Sequence, residues 1–82
     1  MSKKRLLGIM INNPKNVHFR DFVSLIQLFG FRLHRINGSH HIYKHSNVVE
    51  VLNIQNARGK ALPYQIKEFL GYVDQYGLEM EE

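Results

Sequence analysis

The chain has 82 residues, a mass of 9.7 kDa and no cysteine, so it has room for one core and lacks disulfides, thiolate nucleophiles and cysteine-based zinc sites. Its 44% apolar content is too high for a disordered chain, while its longest apolar run, Leu6 to Ile11, is too short for a membrane span or a signal-peptide core. The net charge of +4 divides unevenly: residues 1–66 carry ten Lys/Arg against two acids, and residues 67–82 carry one lysine against five, giving a basic body suited to a polyanion, nucleic acid before membrane, and an acidic tail.

Lys3 to Asn12 spaces Leu6, Leu7, Met10 and Ile11 as a short helix, weakened by Gly8. Asn13-Pro14 ends it, because a residue before proline is pushed out of the α region. A second helix is predicted from His18 or Phe19, with His18 at the N-cap and Asp21 near the positive helix end. Its apolar stripe is Phe19, Phe22, Val23, Ile26 and Phe29, and Gly30 is its natural stop. From Phe31 the period falls to two. Phe31, Leu33 and Ile42 alternate with polar residues, and Asn37-Gly38 predicts a two-residue turn. That turn pairs Ile36 with Ser39, Arg35 with His40, His34 with His41 and Leu33 with Ile42. A third strand is expected over Val48 to Ile54, then a polar loop from Asn56 to Leu62 containing Gly59. Pro63 opens a last helix with the stripe Ile66, Phe69, Leu70 and Val73, closed by Gly77. The order α-α-β-β-β-α predicts an α+β two-layer sandwich, a three-stranded antiparallel sheet with helices on one face. The other face is left to solvent or a ligand.

Four of the five histidines, His34, His40, His41 and His45, fall within twelve residues. Unperturbed histidine ionises at about pH 6.5, so it both takes and gives protons near neutrality. In the register above, His34, His41 and His45 share a face, but they come without the carboxylate or cysteine that zinc sites in cytosolic domains usually include. By spacing alone, these histidines beside Arg32, Arg35 and Lys44 read more readily as exposed strand residues that add polarity and phosphate contacts. Asp21 and Glu50 lie in different elements, which removes a glycosidase-type pair. Ser39 and His40 are adjacent on a strand and point to opposite faces, which removes a triad. A basic, histidine-rich hairpin remains. It suits RNA, whose 2′-hydroxyl is an internal nucleophile needing a proton acceptor, a donor and charge stabilisation. In this register His40 shares the face of Leu33 and Ile42, expected to be buried. It must therefore lie at the hairpin end beyond the helices, with Arg35 opposite, or be re-aimed by a bulge.

Gly30-Phe31, Arg35 and the string Gly38-Ser39-His40-His41-Ile42-Tyr43-Lys44-His45 resemble the signature of the HicA toxin family, the YcfA-like messenger-RNA interferases. The resemblance covers residues 18–77, leaving residues 3–12 as an extra N-terminal helix on one domain spanning 1–82. It implies a fold similar to a double-stranded-RNA-binding domain, which the element order after the first helix also matches. It further implies a catalytic histidine at His40, a tight turn that needs Gly38, and metal-independent cleavage of messenger RNA with no cofactor; the lack of cysteine in so small a domain separately favours a reducing, cytoplasmic setting. A HicB-like antitoxin that covers the site is the implied partner. On this reading Arg35 and Lys44 hold the RNA backbone and developing charge beside Gly38 and Ser39, while Arg32, Arg58 and Lys60 add looser phosphate grip. Where many relatives carry Pro-x-His after the third strand, this chain has Ile54-Gln55-Asn56, and Pro63-Tyr64 replaces a common Gly-Thr. A non-catalytic RNA-binding module and a protein that only docks onto a partner are the alternatives.

Overall fold

Alternation along the third strand orients the whole sheet. In the computed structural model, which describes residues 2–81, Leu52 and Ile54 are fully buried and Asn53 between them is exposed. The elements follow the expected order: α1 (Lys3–Asn12), α2 (Phe19–Leu28), β1 (Arg32–Asn37), β2 (His40–Lys44), β3 (Leu52–Gln55) and α3 (Pro63–Tyr76). A 3₁₀ turn at Pro14–Asn16, which the sequence reading did not include, joins the first two helices. The sheet is antiparallel in the order β1-β2-β3.

The helix ends obey local chemistry. Ser2 caps α1, its hydroxyl accepting the Arg5 N–H at 3.2 Å, which satisfies one of the orphan donors of the first turn. After α2, Gly30 sits at φ +97°, and the Phe31 and Gly30 N–H groups donate to the carbonyls of Ile26 and Gln27, a Schellman ending. Gly77 closes α3 in the same way at φ +61°, with Leu78 N–H donating to the Val73 carbonyl. The core is built around Phe69 of α3, whose ring meets Phe22, Phe29 and Phe31 edge-on at centroid distances of 5.7, 5.4 and 6.0 Å. Met10, Leu25, Ile26, Leu52, Ile54 and Ile66 complete it. The expected stripes are present in part: Leu7, Val23, Leu70 and Val73 are only half-buried, Ile11 is exposed because α1 lies at the edge of the core, and Leu25 and Gln65, left out of them, are buried.

The first hairpin turns one residue later than expected. Asn37 pairs with His40, so the central residues are Gly38 and Ser39 rather than Asn37 and Gly38. Only Gly38 is left-handed, at φ +63°. This is the II′ pattern, which asks one glycine to take the unusual conformation and spares Asn37. The pairing therefore shifts: Ile36 faces His41 and Arg35 faces Ile42. An irregularity at His34 restores the alternation differently beyond it, so that Leu33 faces Tyr43 and Arg32 faces Lys44. On the other side, His41 faces Ile54 and Tyr43 faces Leu52. His41 and Tyr43 thus turn toward the helices, and His40, Ile42 and Lys44 turn outward. The expected burial of Leu33 and Ile42 is overturned: Leu33 is 47% exposed, and Ile42 lies half-buried on the open face. The buried position between them is taken by Tyr43, whose ring spans from the strand into the core.

β3 is shorter than the expected Val48 to Ile54. Val48 is buried, but Val49 is 90% exposed and the segment before Leu52 leaves the sheet. Glu50 is drawn away to α3, accepting a hydrogen bond from the Tyr76 hydroxyl. At the far end of β3, buried Gln65 of α3 accepts the Gln55 N–H on its side-chain oxygen at 2.8 Å. That bond satisfies an edge donor that β2 cannot reach.

Two glycines give the sharpest test of this backbone. Both Gly30 and Gly38 have left-handed φ values, so alanine at either should cost about 1–2 kcal/mol in strain. A Cβ at Gly38 meets nothing within 4 Å, whereas one at Gly30 falls 2.8 Å from Nε2 of His45. That ring is pinned by Phe31 and by the Asn47 N–H. Urea denaturation should show Gly30→Ala clearly less stable than Gly38→Ala; equal losses would mean that the His45 ring moves aside.

Candidate functional site

The outward residues form two adjoining rows on the uncovered sheet face. Asn37, His40 and Gln55 pair across the three strands in one row, and Arg35, Ile42 and Asn53 in the next. Lys44 follows His40 and Ile42 along β2. His40 is exposed, and its Nδ1 lies 3.2 Å from the side-chain oxygen of Asn53, its diagonal neighbour. An amide oxygen has no hydrogen to give, so Nδ1 is the donor. This contact suits the neutral tautomer with its proton on Nδ1 and its lone pair on Nε2.

Among the described residues, every carboxylate lies on a helix, in the loop before β3 or in the tail, and none on a strand. The sheet's open face is therefore basic without internal compensation. The displaced ionisations lie elsewhere. Burial pushes the Tyr43 hydroxyl up; the hydrogen bond to Glu50 does so for Tyr76, and burial, with Glu68 next, for Tyr72. A tyrosine shifted upward stays protonated at neutral pH, so none of the three is a base there.

The hairpin end is fastened to a second turn. Asn56 N–H donates to the Ser39 carbonyl at 3.0 Å, and Asn56 Oδ1 accepts the Gly59 N–H at 2.6 Å. Ala57 and Lys60 exchange two backbone hydrogen bonds of 2.9 and 3.1 Å around Arg58 and Gly59. Both central residues are left-handed, at φ +54° and +85°, the I′ pattern of a tight two-residue turn. The Gly59 carbonyl accepts Phe19 N–H at 2.8 Å, which ties this turn to the start of α2.

The site residues expected from the sequence fall into three groups. His40, Arg35 and Lys44 share the open face, with Gly38 and Ser39 in the turn beside them. Arg35, however, faces Ile42 and not His40, a consequence of the later turn; Asn37 takes the place opposite the histidine. Arg58 is exposed at the tip of the neighbouring turn, while the Lys60 ammonium is bonded to Asn16 at 2.9 Å. Arg32 departs from expectation. Its guanidinium donates to the carbonyls of Gln27 and Phe31 and pairs with Glu81 at 3.2 Å, because the tail returns along α2. The remaining histidines separate too. His34 occupies the irregularity in β1, His41 packs on Phe19 at 4.9 Å, and His45 packs on Phe31 at 5.1 Å. Among the described residues, no three histidine or acidic side chains gather where they could hold a metal ion. Asn53 and Asn56 were not anticipated. Asn53 was findable, because it alternates with Leu52 and Ile54 and so must face outward.

These features define a small α+β domain whose antiparallel sheet is backed by helices and presents a basic, histidine-bearing face. The family model for the HicA toxin of bacterial toxin–antitoxin systems matches residues 19–73, and the chain belongs to that family. It is the toxin member of such a pair. No curated protein and no solved structure matched the chain.

The histidines should separate in stability measurements as they do in packing. Losing an aromatic contact costs about 0.5–1.5 kcal/mol, so His41→Ala and His45→Ala should shift the urea midpoint downward. His40→Ala removes an exposed ring and should stay within about 0.5 kcal/mol of the parent. A large loss for His40→Ala would mean that its ring supports the fold.

Proposed function

We propose that this toxin is an endoribonuclease that cleaves messenger RNA in the cytoplasm, using His40 as its general acid and base and no metal or cofactor. The observation that carries the reading is the His40 ring itself: exposed on a carboxylate-free basic face, with Nε2 as the available base. Nε2 removes the proton of a ribose 2′-hydroxyl as its oxygen attacks the adjacent phosphorus. The bond from phosphorus to the 5′-oxygen breaks, and the imidazolium returns the proton to that leaving oxygen. Arg35 and Lys44 hold the phosphate and the charge that builds on it, with Gly38 and Ser39 lining the approach at the turn. Arg58 extends the grip from the second turn. Lys60 and Arg32 contribute only long-range field, since each already has a protein partner. The antitoxin partner is HicB-like and silences the site by laying an acidic or RNA-mimicking surface over this face.

His40→Ala should cut RNA about 10²–10⁴ times more slowly and lose toxicity with an unchanged circular dichroism spectrum. His41→Ala and His45→Ala should retain substantial activity, and chelators should leave the parent rate unaltered. If His40→Ala cuts as fast as the parent, catalysis by this residue is excluded and an RNA-binding module becomes the better description.

RNA affinity should fall with salt at a log–log slope of roughly −0.7 per neutralised phosphate. Arg35→Gln and Lys44→Gln should each flatten that slope by about 0.7, while Arg32→Gln should leave it nearly unchanged. Binding that is insensitive to salt would remove the role given to the basic face.

A further inference from the structure

We infer that Asn53 is a positioning residue that fixes the tautomer and orientation of the His40 ring, an assignment that rests on the reading of His40 as the acid–base group. An exposed imidazole on a strand has two neutral tautomers and can turn about its side-chain bonds, so it presents a usable lone pair toward a ribose only part of the time. Here the ring is held from one side. The Asn53 oxygen accepts from Nδ1 at 3.2 Å, which commits the proton to that nitrogen and directs Nε2 away from β3. The holder is itself well held. Leu52 and Ile54 are fully buried on either side of Asn53, and their pairing with Tyr43 and His41 fixes the register between the two strands. The diagonal from Asn53 to His40 is therefore a property of the sheet and not of a loose loop.

The acceptor is also neutral, and this matters for the chemistry. A carboxylate at the same distance would fix the same tautomer, but it would favour the imidazolium and withdraw the base at neutral pH. An amide oxygen orients the ring at little electrostatic cost. The other groups beside His40 on this face are neutral Asn37 and Gln55 in its own row and the cations Arg35 and Lys44 beyond it.

The test uses the full chain and two readouts. Nitrogen chemical shifts of the His40 ring report its neutral tautomer and its titration midpoint without any RNA. The parent should show the proton on Nδ1. Asn53→Leu should show a mixture of tautomers, and Asn53→Asp should keep the Nδ1 tautomer but titrate about one pH unit higher. In cleavage assays Asn53→Leu should lower kcat about tenfold with KM unchanged, the size expected from losing one orienting hydrogen bond. Asn53→Asp should recover activity only as the pH is raised, its rate profile displaced by the same amount as its titration. A parent ring protonated on Nε2 when neutral, or an Asn53→Leu variant with unaltered tautomer or unaltered kcat, would overturn the assignment. If His40→Ala cleaves as fast as the parent while the tautomer results hold, the catalytic reading fails and the control of the ring by Asn53 stands.

Discussion

Burial of Leu52 and Ile54 against the helices constrains every other residue of the sheet. Strand side chains alternate, so these two anchors send Asn53 outward and oblige their partners Tyr43 and His41 to point inward. His40, Ile42 and Lys44 are then outward with no further choice. A slip of one residue would exchange the two sets, pressing His40 onto Phe19 and exposing His41 in its place. The adjacent histidines look interchangeable in the sequence, yet one packs on an aromatic ring and the other faces solvent. The apolar anchors of a neighbouring strand make that distinction.

Charge is partitioned by the same layering. The helices, the loop before β3 and the tail carry the acids of the described residues, and the strands carry only cations and histidines among ionisable groups, apart from buried Tyr43. The pair between Arg32 and Glu81 is exposed on both sides, at 67% and 59% of the side chains, and contributes about 0–1 kcal/mol at best. Its greater effect is on geometry. It turns a cation at the base of β1 toward the tail, concentrating the available positive charge nearer the hairpin end.

The helices were legible because their signals are local: apolar spacing, proline and glycine at the boundaries, and a cap within three residues. Even the limits of α1 could be read directly. The hairpin turn was not, because Asn37-Gly38 and Gly38-Ser39 both satisfy a two-residue turn, and the choice depends on long-range packing of Tyr43. That single ambiguity misplaced Ile42 and put Arg35 opposite the wrong residue. His40 stood out through the motif around it, not through spacing, since spacing gave four histidines equal standing. Asn53 was implicit in the alternation of β3, but nothing in the sequence placed it diagonal to His40. Arg32 could not have been placed, because its partner lies 49 residues away. Gln65 was hidden as well: a polar side chain in a helix gives no hint that a strand end lies within reach.

The hydrogen bond from Gln55 to Gln65 makes the sheet one-sided in its capacity to grow. With that end of β3 engaged by α3, the longer free border is β1, exposed along its whole length with Leu33 and Ile36 among its residues. Such a border invites copies of the chain to stack on one another in concentrated solution. Here the same six residues also carry the unpaired Arg35 and the kink at His34. Two copies approaching edge to edge would bring like charges together along an uneven ladder. The Arg35 that we propose for gripping RNA thus also helps to keep copies of the molecule apart.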